Sequence, residues 1–298
     1  MQLLHASHIV ASPPLAVMAS HAEGFSRYYR GDLDEAKRHV EAGIALFSLE
    51  QERFIVSQVQ IASTVVMEGI LALVLWLQDR AAEGEEAIER ARRLADELDS
   101  PPSLVFHLSL CCEFRLWQRN APKLLETSER MLQLAETEGF ALFESVAHCY
   151  RGLARAGLGQ EADGIAEASQ GWAAYSATGA GLNIMQEHCC RAEALFRLNR
   201  PEEALSLLDQ AERRGGPLGE RNCDAEVHRV RAEIWAAAGR TTQAIESASK
   251  AIEVARSRGA TALVLRAEAT LASISKHERL ATSDRVSEPP RTNQPDGA

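Results

Sequence analysis

Apolar residues in this chain recur at helical spacing. Over residues 201–215, Ala204, Leu205, Leu207, Leu208 and Ala211 form one stripe, and Glu202, Glu203, Gln210 and Arg213 fall largely outside it. Steps of three and four place residues on one face of a helix with 3.6 residues per turn. No stretch of useful length alternates with the period of two expected of a strand. The pattern predicts helices along most of the chain.

These helices repeat in pairs. Small residues recur at three sites. The first is Gly24, Ala72, Cys112, Gly152, Ala192 and Ala232; the second, twelve positions on, is Ala36, Gly84, Leu124, Gly164, Ala204 and Ala244. The third, seven further, is Gly43, Ala91, Met131, Gly171, Ala211 and Ala251. From Ala72 onward the period is 40 residues, and the first unit lies 48 residues before the second. Two antiparallel helices approach closely only where the facing side chains are small. The first site is therefore assigned to a helix A, and the other two, about two turns apart, to one face of a helix B. Leu124 and Met131 depart together, so their unit is expected to pack more loosely.

Helix breakers keep the same beat. Gly31-Asp32, Gly159-Gln160, Asn199-Arg200-Pro201 and Gly239-Arg240 fall between helices A and B. Gly139, Gly179, Gly219 and Gly259 fall at the end of helix B, with Asp99 in the matching place. Such residues end one helix and open the next. The expected fold is all-α: a right-handed superhelical solenoid of about six antiparallel pairs with a 40-residue period, preceded by one further helix.

Composition narrows the function. The 298 residues are 46% hydrophobic but only 5% aromatic, and the formal charge is −10. An acidic balance argues against broad nucleic-acid binding and against docking on anionic membranes. The most apolar run, 61–77, is interrupted by Glu68 and reads as a buried repeat helix. Six cysteines, none in a Cys-x-x-Cys pair, sit mostly in apolar helical stretches, which suits a reducing cytoplasm. Residues 1–13 read as a leader without the charge pattern of a signal peptide, and 14–275 as the repeat domain. Residues 276–298, rich in Pro, Ser, Thr and charge, read as a disordered tail.

The spacing small–x11–small–x6–small resembles that of tetratricopeptide repeats, whose usual unit is about 34 residues. Four stretches carry a more specific resemblance: HAEGFSRYYRGDLDEAKRHVEAGIALF (21–47), ALVLWLQDRAAEGEEAIERARRLADELDSP (72–101), GWAAYSATGA (171–180) and AEVHRVRAEIWAAAGR (225–240). They are similar to the C-terminal repeats of large bacterial signalling proteins. In those proteins a class III adenylate or guanylate cyclase domain precedes an AAA-type ATPase and then the repeats. Related repeats occur in ATP-dependent transcriptional regulators. The resemblance spans residues 15 to 275 and implies a detached or truncated regulatory part of such a system. There is no Gly-Lys dipeptide, hence no Walker A loop, so the nucleotide chemistry does not carry over.

The expected role is a cytoplasmic scaffold for a protein or peptide partner. The second reading is a regulatory domain sensing a small-molecule effector. No catalytic, cofactor-binding or metal-binding residue is assigned. Helix A lines the concave, partner-binding face of tetratricopeptide proteins, which by resemblance puts Gln186, Glu193, Glu226, Arg229 and Glu233 there. His148, His188 and His228 form a ladder, each followed three residues later by Arg151, Arg191 and Arg231. Its rungs are about one repeat apart, ~10 Å, too far to share a metal, so a polar bridging role is expected. Glu85-Glu86 and Glu202-Glu203 read as helix-start carboxylates. Trp76, Trp117, Trp172 and Trp235 read as core or groove packing.

Overall fold

The computed structural model describes residues 12–287, with side chains to 276. The expected leader over 1–13 falls almost wholly outside the described residues, as does the end of the expected tail. Six helix pairs follow one another. They are α1 (Pro13–Tyr29) with α2 (Leu33–Ile44), α4 (Ser63–Leu77) with α5 (Ala81–Glu97), and α6 (Pro101–Trp117) with α7 (Ala121–Glu138). Then come α8 (Ala141–Gly157) with α9 (Glu161–Ala177), α10 (Ile184–Arg197) with α11 (Pro201–Leu218), and α12 (Asp224–Ala237) with α13 (Thr241–Ser257). The short α3 (Leu49–Val59) is inserted after α2, and α14 (Thr261–Ser287) closes the series. No strand occurs among the described residues, and each pair packs on its neighbours. The chain is a tetratricopeptide-like helical solenoid.

The helix expected before the first pair falls outside the described residues; the additional helices are α3 and α14. The insertion of α3 accounts for the 48-residue first interval. The helix α14 also runs past the boundary drawn at 275, to Ser287. Residues 276–287 contain neither Pro nor Gly, and Pro289 is the first residue that bars continuation.

The small residues sit in the seams. Every alanine at the three sites is fully buried. A Cβ on Gly164 would stand 2.5 Å from the Ala156 nitrogen and 2.5 Å from the Gly152 oxygen, so α8 and α9 touch backbone to backbone. On Gly171 it would stand 2.7 Å from the Cys149 nitrogen. The α8–α9 pair has the most extensive close approach of all the pairs, and α6–α7, which carries Leu124 and Met131, the least. Between helices, Gly159 holds φ at +89°, a left-handed conformation that a Cβ disfavours. Asp79, Arg119 and Asn199 serve as the left-handed turn residues in the three pairs that lack a glycine there.

The run at 61–77 becomes the wholly buried α4, in which Glu68 pairs with Arg90 at 2.8 Å. No single helix among the described residues is long and apolar enough to cross a membrane.

Gly164→Ala should lower the melting temperature through forced separation of α8 and α9, a cost of about 1–3 kcal/mol. Gly159→Ala, in open space, should cost only about 1 kcal/mol through its positive φ. Thermal unfolding of the two variants side by side checks the order.

Candidate functional site

The A helices α1, α4, α6, α8, α10 and α12 line the inside of the solenoid, and its two ends meet across that space. The backbone N–H groups of Arg221 and Asn222 donate to the Tyr29 carbonyl at 2.7 and 3.3 Å. Arg258 Nη1 donates to the Arg30 carbonyl at 2.8 Å, and Arg266 Nη2 to the Trp117 carbonyl at 2.9 Å. Trp76 stacks on Trp117 with centroids 5.7 Å apart, and the Arg266 guanidinium lies over the Trp76 ring. Contact between the ends encloses much of the face read as concave and partner-binding.

The enclosed face decides the surroundings of the five residues assigned to it. Arg229 is the hub, bonded by Glu226 at 3.0 Å, by Glu233 at 2.7 Å and by Glu193. Arg119, from the α6–α7 turn, reaches Glu193 at 2.6 Å and Glu226 at 3.1 Å, and Arg266 lies 3.2 Å from Glu226. Four of the five residues therefore converge in one cluster, with Arg119 and Arg266 supplied from elsewhere in the chain. Glu226 and Arg229 are buried, whereas Glu233 is partly open. Burial works against ionisation of Glu226, but Arg229, Arg266 and Arg119 outweigh it and hold its carboxyl below the ordinary range.

The fifth residue, Gln186, stands apart. It is buried on α10, and neither its Oε1 nor its Nε2 has a hydrogen-bond partner among the described residues. It lies between two cavities and lines both. One, of ≈ 410 Å³, borders the charge cluster through Arg119, Glu193 and Glu226. The other, of ≈ 200 Å³, is walled by Phe25, Tyr29, Phe106, Phe143, Tyr150 and Trp172. Spacing places Gln186 on helix A but says nothing of its isolation there, which depends on what the neighbouring repeats lack.

A second important residue, Glu113, was missed. It is buried on α6 and accepts from the Tyr28 hydroxyl at 2.6 Å and from the Tyr29 hydroxyl at 3.0 Å. No cation pairs with it among the described residues. Burial lifts its carboxyl to about 7, against which the two tyrosine bonds work. Glu220 is likewise raised to about 7 by burial, opposed by the backbone N–H groups of Met185, Asn183 and Ile184 at the start of α10. The only sequence signal for Glu113 was a carboxylate inside an apolar helix.

Of the ladder, His148, Arg151, Arg191 and Arg231 reach a neighbouring helix, whereas the His188 ring bonds within its own. His148 and Arg151 both meet Glu167 on α9, at 3.2 and 2.5 Å. His188 contacts Glu187, Arg191 donates to Ser169 on α9, and Arg231 pairs with Asp209 and Glu212 on α11. Glu85 binds Arg115 across the repeat boundary rather than only tempering a helix dipole, and Glu203 pairs with Arg200. All six cysteines are free. Among the described residues no group of three His, Cys, Asp or Glu is arranged to hold a metal.

No protein-family model matches the chain. An uncharacterized protein of Rhizobium meliloti (strain 1021) is 27% identical over 259 residues, which is 86% of this chain and 25% of that protein. The chain thus spans about a quarter of the length of that curated relative. Among solved structures, a Signal Transduction ATPase with Numerous Domains (STAND) protein with a tetratricopeptide repeat sensor, from Pyrococcus horikoshii, superposes with a TM-score of 0.48 and 13% identity. That match covers 93% of this chain and 46% of the other.

Two outcomes are expected. Arg229→Met, which strips the hub from buried carboxylates, should destabilise by about 3–5 kcal/mol, measured by denaturant unfolding. Glu113 keeps its proton in the folded protein up to about 7, whereas the unfolded chain loses it near 4.5. Its contribution is therefore complete below the unfolded value and disappears as pH rises toward 7. Wild type should lose melting temperature relative to Glu113→Gln across that window, with a constant difference above it. A difference independent of pH would mean that Glu113 stays ionised.

Proposed function

We propose that the chain is a regulatory interaction domain that takes a small molecule into the interior of its solenoid. The observation that carries this reading is Gln186, a buried carboxamide with both polar atoms unpartnered, set between two cavities on the enclosed inner face. A buried amide without partners costs about 1–3 kcal/mol. Retaining one in a cavity wall makes sense if a bound molecule supplies the missing bonds. Contact between the ends supports the same reading, because it withdraws Glu226 and Arg229 from any peptide lying in an open groove.

The resemblance to repeats of multidomain bacterial regulators supports a place beside other signalling domains. The short fraction of the curated relative that this chain spans agrees with that placement. A scaffold role toward a protein partner remains as the second reading. It is favoured by one observation: Leu46, Phe47, Phe54 and Val59 are all exposed around α3, the helix inserted outside the regular repeat. The proposed unit performs no chemistry of its own.

The test joins stability to binding. Gln186→Leu should raise the melting temperature, because it replaces an unpartnered amide by an apolar group of similar size. A thermal-shift screen with nucleotides, sugars and amines should give a saturable rise in wild type, about 2.7 kcal/mol of stabilisation at a hundred times Kd. The same ligand should shift Gln186→Leu much less. A variant less stable than wild type, or one with an undiminished shift, would remove the ground for the proposal.

A further inference from the structure

The smaller cavity has a definite chemical character. Its aromatic walls come from α1, α6, α8 and α9, with Phe25 and Tyr29 4.9 Å apart, Phe106 and Phe143 5.9 Å apart, and Trp172 and Tyr175 5.3 Å apart between ring centroids. Faces of such rings are negative, and they attract cations that have shed part of their water. The lining contains Glu113 and Glu187 but no Lys, Arg or His. Glu187 is engaged by Arg191 and His188. Glu113 is not: among the described residues it meets the Tyr28 and Tyr29 hydroxyls and the Trp117 indole, and no cation. Gln186 adds its unpartnered carboxamide to the same wall.

We propose that this cavity binds a small organic cation, an amine or quaternary ammonium with an apolar body, whose charged head sits toward Glu113 and whose body lies among the aromatic rings. The inference rests on the ligand-sensing reading above and deepens it. Three features favour a cation over a neutral or anionic guest. An anion would meet two carboxylates and no base. A neutral guest would fill the apolar volume but leave Glu113 protonated below about 7. A cation supplies a counter-charge that lets Glu113 ionise, in a site where burial makes the interaction stronger than in water. The volume of ≈ 200 Å³ limits the body to about the size of one aromatic ring.

The experiment is calorimetric titration of the full chain with three probes that share one body and differ only in the head: phenethylammonium, phenethyl alcohol and 3-phenylpropanoate. Phenethylammonium should bind saturably, the alcohol about tenfold more weakly, and the acid not measurably. Glu113→Gln keeps a partner for each tyrosine and should bring the amine down to the level of the alcohol. Leu142→Trp, at the partly exposed mouth of the cavity, should block all binding without changing the circular-dichroism spectrum. Equal affinity for amine and alcohol, or an amine affinity indifferent to Glu113→Gln, overturns the cation inference. A neutral or anionic ligand from the broad screen that Leu142→Trp excludes would overturn it too, while leaving the sensing proposal standing. Silence from every probe and from the screen would overturn both.

Discussion

Close backbone approach at the small-residue seams is the constraint from which the rest follows. Where α8 meets α9, glycines at 152, 164 and 171 leave no room for even one added carbon against the facing backbone. Such contact sets the separation within a pair, and the repeat of the contact sets the path of the whole stack. Forty-residue units supply helices of about 17 residues, as in α5, α8 and α9. The stack curves until α14 reaches α4 and the α12 end reaches α1. The interior is thus a product of the seams rather than of any residue inside it.

Once the ends meet, polar groups on the inner face must find partners within the protein. Two outcomes appear side by side. Around Arg229, charges from separate helices answer one another, and Glu226 is held ionised despite burial. At Glu113 the answer is incomplete: two hydroxyls donate, no cation arrives, and the proton is kept to about 7. A buried ion cluster of the first kind is weak evidence for stability and better evidence for a specified geometry. A buried carboxylate of the second kind is a standing cost, and it coincides with the cavity whose wall also holds the unpartnered Gln186.

Much of the fold was legible because its information is local and periodic. The sites from Gly24 to Ala251, the turn glycines and Asn199 each act through neighbours within one repeat, and so leave a mark on a 40-residue beat. The insertion of α3 showed only as a longer first interval. The length of α14 was obscured because polarity was taken for disorder where no breaker stood. The site was less legible. The resemblance to tetratricopeptide proteins put Gln186, Glu193, Glu226, Arg229 and Glu233 on the inner face, but Arg119 and Arg266, which meet Glu193 and Glu226, come from distant repeats. Periodicity is silent on what faces a residue across the solenoid. Glu113 and the aromatic wall were invisible for the same reason: Tyr28 and Tyr29 lie far from it in sequence and meet it across the inner face, from α1 to α6.

The closure also ties the cavity to the ends of the protein. Tyr29 is a wall of the smaller cavity, its hydroxyl donates to Glu113, and its carbonyl receives the N–H groups of Arg221 and Asn222. The next residue, Arg30, accepts from Arg258. A guest of the proposed kind that displaced Tyr29 would therefore be felt at the contact between first and last repeats without any relay through the stack between them. Glu220, one residue from that contact, fixes the start of α10, the helix that carries Gln186. The α1 and α10 sides of the cavity are anchored at the junction. Occupancy and closure are thus mechanically one question, and a ligand that prefers one arrangement of Tyr29 shifts the junction only by its difference in affinity for the two arrangements.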